Sequence, residues 1–221
     1  MIHIINAEIV NLLHTYNNTV SDFQKVIYFP RDINIQKDVL EEMKDYFQKL
    51  SEIKALPKLL DSELNLIAFF ELLISALISE LEMIINLKEN DMNNAWISLI
   101  KAQTDASLAA NNNPFELNNI EGYINKLQMY EQSLFPELMF CSVGGIIKKA
   151  VCSICKCDYD DCDHMKGKLY NGNLCLREIH EMDLEEVSIV KNPASKLSRI
   201  LTTEYKNETV DVFTFLPHKS T

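Results

Sequence analysis

CSICKCDYDDCDHMKGKLYNGNLC, residues 152–175, is the stretch that decides how this chain is built. It holds five of the protein's six cysteines together with His164, whereas residues 1–140 contain no cysteine. Cys152 and Cys155 form a Cys-x-x-Cys pair, a spacing that lets two thiolates reach one ion from a single tight turn. Cys162 and His164 follow, then Cys175. Asn171-Gly172 lies between them, flanked by apolar residues. Both residues accept positive φ, so a type I′ hairpin is predicted there, returning Cys175 towards the first pair.

Zn²⁺ takes four tetrahedral nitrogen or sulfur ligands. The expected set is Cys152, Cys155 and His164, with Cys175 or Cys162 as the fourth. Cys157 follows Cys155 too closely to join it and is expected to be a spectator. A disulfide cluster would need an oxidising compartment, and no secretory signal is recognisable. A redox Cys-x-x-Cys would sit in a βαβ pattern, which does not surround this one. Iron–sulfur ligation suits the histidine less well. With donors plentiful and no open coordination position in view, a structural Zn²⁺ is expected rather than a catalytic one.

Upstream of this stretch the texture is helical. Residues 1–18 carry Ile2, Ile5, Ile9, Leu12, Leu13 and Tyr16 at helical spacing, and His3 and His14 read as ordinary helix positions. Residues 21–35 look irregular around Pro30. Residues 36–56 present Val39, Leu40, Met43, Tyr46, Phe47, Leu50 and Ile53 as one stripe. From residue 59 or 62 to 88 the chain is apolar almost all round, the mark of a central helix. Glu71, Glu80 and Glu82 interrupt it, so no membrane span is expected, and Glu71 is placed on a solvated edge. Asp91 can cap a helix over 92–110, and Asn118 or Asn119 one that ends near Pro136. Short connections imply antiparallel neighbours.

Downstream, Gly144-Gly145 reads as a turn between the helices and the metal element. Residues 176–179 and 186–190 read as short strands, 195–204 as a brief helix, and 210–216 as an edge strand or a tail that docks on a partner. The expected fold is mainly α: an antiparallel helical bundle over 1–140, a zinc-stabilised α+β module over 141–205, and a C-terminal tail or edge strand over 206–221.

The net charge is −11. Residues 1–140 hold 10 Lys/Arg and 20 Asp/Glu, hence −10, and residues 141–221 hold 11 and 12, hence −1. An acidic helical part repels phosphate and makes a poor nucleic-acid surface. Free thiols without an export signal imply a reducing cytoplasm.

Two segments resemble known proteins. The pattern Cys152-x2-Cys155-x6-Cys162-x-His164-x2-Gly167-x2-Tyr170-x-Gly172-x2-Cys175 is similar to zinc-binding segments of some phage-related and uncharacterised bacterial proteins. Glu186-Val187-Ser188-Ile189-Val190-x2-Pro193-Ala194 resembles the strand-plus-Pro-Ala segment of tailed-phage head-maturation proteases. That family keeps its catalytic His and Ser in a β-rich body upstream of the matching segment, where this chain is helical, so protease activity does not carry over. The resemblance implies a phage-related genomic setting, such as an antiphage assembly.

Three functions compete. The first is a non-catalytic interaction or adaptor subunit with a protein partner or a second copy. The second is a peptidase-like or zinc-dependent hydrolase using Ser188, or His164 with Asp161 or Asp163. The third is nucleic-acid contact through Lys148, Lys149, Lys156, Lys166 and Lys168, which Asp158, Asp160, Asp161 and Asp163 oppose.

Overall fold

A computed structural model describes residues 7–115 and 119–217. The order of elements is α1 (Ala7–Gln24), α2 (Ile33–Lys54), α3 (Asp61–Lys88), α4 (Met92–Asn111), α5 (Asn119–Leu134), β1 (Phe140–Cys152), β2 (Leu169–Tyr170), β3 (Asn173–Leu174), β4 (Arg177–Val190), β5 (Thr202–Tyr205) and β6 (Glu208–Asp211). Five helices are thus followed by a strand region. The first six residues of the expected first helix, with Ile2, His3 and Ile5, lie outside the described residues, as does Asn118.

The helical stripes become the core. Ile9, Leu12, Tyr16 and Phe23 of α1, Leu40, Met43 and Leu50 of α2, and Leu127 of α5 are buried. α3 is buried along most of its length, from Leu66 to Ile85. It is long and apolar enough to cross a membrane, but 61 % of its most apolar window is buried within the protein. α4 turns Ala95, Ala102, Ala106 and Ala109 inward, all fully buried. Small side chains at these positions let the backbones of α3 and α4 come close.

Two expectations about the helices change. Residues 21–35 are less irregular than their composition suggests, because α1 continues to Gln24 and α2 begins at Ile33. The Asp32 carboxylate caps α2 by accepting from the Asn34 amide at 2.8 Å. Buried Gln36 closes the intervening turn, its amide donating to the Val26 and Tyr28 carbonyls at 3.0 and 2.9 Å. Glu71 does not sit on a solvated edge: it accepts from Ser51 Oγ at 2.9 Å and pairs with Lys54 at 2.6 Å. Glu80 is fully buried, with Lys126 Nζ 2.7 Å away.

The larger correction concerns Gly144-Gly145. The chain does not turn there. It runs through as part of β1, which pairs antiparallel with β4 to make a two-stranded ribbon with strands of 13 and 14 residues. A Cβ at Gly145 would lie 2.1 Å from the Asp183 carbonyl oxygen, so only glycine lets the strands close at this point. The register shifts between Gly144 and Gly145, leaving Glu185 unpaired, and shifts twice more at Lys148 and His180. Each such bulge changes which face the following residues occupy.

Together the three bulges keep the apolar residues in phase. Cys141–Ile189, Val143–Val187, Gly145–Leu184, Ile147–Met182 and Ala150–Ile179 pair on one face, while Ser142–Ser188, Gly144–Glu186, Ile146–Asp183 and Lys149–Glu181 pair on the other. Along the ribbon's middle the apolar face is open: Val143, Leu184, Val187 and Ile189 are 58–64 % exposed.

The ribbon is fixed at both ends. At its foot Phe140 is buried and its ring lies 6.2 Å from that of Trp96, which also meets Phe135 and Phe213. Trp96 Nε1 donates to the Lys196 carbonyl at 3.0 Å. The expected helix over 195–204 is replaced by a turn and β5, which pairs with β6. Backbone bonds at this foot explain the change: Cys141 N–H donates to Ser198 O at 2.7 Å, and Ile200 N–H to Met139 O at 2.9 Å. At its far end the ribbon runs into the cysteine knot.

Candidate metal centre

The knot begins as β1 ends. Cys152 N–H donates to Cys157 O at 3.0 Å and Lys156 N–H returns to Cys152 O at 2.9 Å, with Lys156 at a positive φ of 61°. This tight loop brings Cys155 beside Cys152. A short 3₁₀ turn, Tyr159–Asp161, capped by Asp158, then delivers Cys162 and His164. The donor atoms of Cys152, Cys155, Cys162 and His164 all lie within 4.8 Å of one another. A Cys₃His cluster that could hold a metal ion is therefore present.

The predicted hairpin is there too. β2 and β3 flank Asn171 and Gly172, whose φ values are 50° and 71°, as a type I′ turn requires. It returns Cys175 to the cluster, with Sγ 3.7 Å from Cys152 Sγ. Sulfurs bound tetrahedrally at about 2.3 Å from an ion stand about 3.8 Å apart, so Cys175 is also at ligand-like separation. The site thus offers five donors, Cys152, Cys155, Cys162, His164 and Cys175, and both Cys152 and Cys175 are fully buried. Cys157 is exposed and its thiol points at the Cys155 carbonyl. All six cysteines are free.

Two observations test whether these residues suit an ion. The first is His164, whose Nδ1 is buried without a hydrogen-bond partner, while its ring stands edge-on to Tyr170 at 4.5 Å. A buried acceptor or donor left alone is costly unless something fills the place of its partner. The second is the electrostatics of the thiols. Burial opposes ionisation of Cys152, but the Cys155 and Ile154 amides, with the Cys162 and Cys175 thiols, outweigh it and bring this thiol down to about 6. Burial and the nearby Cys152 push Cys162 and Cys175 up to about 11. One thiolate forms readily and makes the next ones expensive. A divalent cation removes that penalty for all of them.

The helices hold the knot in place. Asn112 at the end of α4 donates to Gly167 O at 2.7 Å and accepts from Leu169 N–H at 2.9 Å. Asn65 near the start of α3 accepts from Gly172 N–H at 2.8 Å. Within the knot, Ser153 Oγ donates to Leu174 O at 3.2 Å and accepts from Leu176 N–H at 2.8 Å. None of these asparagines or serines was marked by sequence spacing, because no periodic pattern identifies a polar side chain that bonds a distant backbone.

The residues expected for other chemistries are placed differently. Ser188 lies opposite Ser142 in the ribbon, and among the described residues no histidine or carboxylate hydrogen-bonds to it. Asp161 and Asp163 are exposed. Lys148 pairs with Asp183 at 2.5 Å, Lys156 with Glu178 at 3.1 Å, Lys149 faces Glu181 across the ribbon, and Lys168 donates to the Asn111 carbonyl at 2.5 Å. A cleft of about 650 Å³ lies between α4, α5 and residues 194–197. Its charged lining residue, Lys196, is bound to Glu131 at 2.6 Å. No protein-family model, no curated protein and no solved structure matches the chain.

Proposed function

We propose that this chain is a non-catalytic interaction subunit: an antiparallel helical bundle carries a β-ribbon whose far end is fixed by a structural Zn²⁺, and the ribbon docks a protein partner. The antiparallel arrangement is supported by α3 and α4, where Asn86 lies beside Ser98 while Ser75 bonds Asp105. Zn²⁺ suits a set of thiolates and one imidazole better than hard, oxygen-seeking cations do. A compartment that keeps thiols reduced, the cytoplasm, fits six free cysteines.

The observation that carries the reading is the ribbon's apolar face. Five successive cross-strand pairs without a charge lie on an element only two strands wide. Two strands are marginal in water, and stability normally needs a third strand or a packed face. An exposed aliphatic stripe of this kind marks an interaction surface. Nucleic-acid contact is disfavoured by the same element, since β4 carries Glu178, Glu181, Asp183, Glu185 and Glu186. A multiprotein bacterial assembly, the setting implied by the phage-related motifs, is where such a subunit would serve.

The test is direct. Unchelated protein is analysed for metal and its mass measured by light scattering, alone and with the products of neighbouring genes. One zinc per chain and a complex lost in Leu184→Asp and Val187→Asp are expected. A metal-free protein, or a monomer that joins nothing, overturns the proposal.

A further inference from the structure

We propose that the outer edge of β1 is a slot for an extended segment of a partner protein, one that alternates apolar residues with Lys or Arg. This inference rests on the interaction reading above and specifies where and what the ribbon binds. The edge is already paired at both ends. At the foot, Cys141 N–H donates to Ser198 O, and Phe140 bridges Arg199; at the knot, Cys152 N–H donates to Cys157 O, and Val151 bridges Asp158. Between these closures, residues 142–149 have no partner strand on that side among the described residues. The open stretch is about 26 Å long at roughly 3.3 Å per residue.

The two edges of the ribbon are not equivalent. β4 is guarded by bulges at Glu185 and His180 and by its carboxylates, the devices that discourage a further strand. β1 has no charged residue from Phe140 to Ile147; its one bulge, at Lys148, and its two lysines stand at the knot end of the open stretch, where Lys148 pairs with Asp183 and Lys149 faces Glu181. An added strand would make the middle of the ribbon three-stranded and widen its apolar face.

The face chemistry specifies the occupant. On one face its side chains would lie beside Val143 and Ile147, which calls for apolar residues. On the other they would lie beside Ser142 and Gly144. Gly144 has no side chain, and that of Glu186 leans across it: a Cβ there would be 2.8 Å from Glu186 Cγ and 3.1 Å from its Oε1. Among the described residues no cation pairs with Glu186. A Lys or Arg opposite Gly144 would meet that carboxylate, because the two residues lie two strand spacings apart, roughly 10 Å, on the same face with only a glycine between them, a gap that two long side chains leaning together close. A second copy is a poor occupant, because its β1 carries the same two closures and would have to bring them into the same gap.

Zinc-loaded full-length protein is titrated with a fluorescein-labelled nine-residue peptide alternating valine and lysine. The comparison peptides alternate valine and glutamate, or hold the same valines and lysines in two blocks. The alternating lysine peptide is expected to bind at least about tenfold more tightly than either, and to protect amides within 142–149 from exchange. Val143 lies two residues beyond Cys141, so its N–H also points outward; Val143→Pro removes that donor without removing a ribbon bond. It should weaken binding about tenfold with metal content unchanged, and Glu186→Gln should weaken the lysine peptide several-fold. Equal binding of the three peptides, protection outside 142–149, or indifference to Val143→Pro overturns the slot. If the peptide fails while Leu184→Asp still abolishes capture of a neighbouring gene product, the slot is wrong and the interaction reading stands. If the full-length protein captures nothing in any assay, both are wrong.

Discussion

The helices and the ribbon solve the same problem by opposite means. In the helical part, α3 is surrounded, and Ile67, Ile74, Leu81, Met83 and Ile84 have no exposed surface. Such a body holds itself together by excluding water from apolar side chains. The ribbon has as regular an apolar pattern but leaves it in solvent, and is fixed instead at its ends, by an aromatic cluster at one and by the Cys/His cluster that could hold a metal ion at the other. An element whose order comes from its attachments can leave a whole face free for binding, which a self-packed element cannot.

The strongest way to break this comparison is to remove the proposed Zn²⁺. A structural Zn²⁺ supplies on the order of 10 kcal/mol of folding free energy at neutral pH. Chelation, or Cys152→Ser with Cys155→Ser, is expected to strip exchange protection from residues 140–190 while α2, α3 and α4 keep theirs. Hydrogen exchange read by mass spectrometry checks it; loss of protection everywhere at once would mean that the two parts are not independent. Acidification should act in the same direction, because protonated thiols release the metal.

Trp96→Ala should be next in size. It empties the seat under the ribbon's foot and costs about 3–5 kcal/mol, seen as a lowered midpoint of thermal unfolding. Unlike chelation, it should loosen both parts.

Lys126→Met should cost about 3 kcal/mol, because it leaves the buried Glu80 carboxylate without a cation, whereas Lys126→Met with Glu80→Leu should recover most of the loss. Burial, partly offset by Lys126, Tyr123 and Tyr130, raises the pKa of Glu80. Folding therefore takes up a proton there. The stability from this group is full below the ordinary carboxylate value and falls as pH rises through the raised one, and Glu80→Gln should flatten that part of the pH profile.

The smallest effect is expected on the ribbon's open face. Leu184→Ser and Val187→Thr should change stability by no more than about 0.5 kcal/mol, measured by denaturant unfolding. A larger loss would show that this face is packed in the folded protein, as the helices are.

How much could be read without coordinates follows the same division. The helices are legible because one repeating period sets both their hydrogen bonding and their burial. Asp91 and Asn119 stand where the structure caps or starts α4 and α5. The Cys-x-x-Cys spacing and Asn171-Gly172 carry their geometry in neighbouring residues. The long ribbon was hidden because its three bulges destroy strict alternation. Gly144-Gly145 reads as a turn, and residues 176–179 and 186–190 as separate short strands, until the register places extra residues at Glu185, Lys148 and His180. Gln36 and Asn112 were silent for another reason: their partners are backbone groups of remote segments, and nothing local announces them.

Trp96 has a practical consequence. It is the sole tryptophan of the chain, and its indole N–H is bound to the Lys196 carbonyl while its ring lies among Phe135, Phe140 and Phe213. Its emission wavelength is therefore a built-in optical gauge of whether β1 is seated, and it can be followed in unlabelled material while metal, peptide or acid is titrated at sites remote from the dye-free reporter.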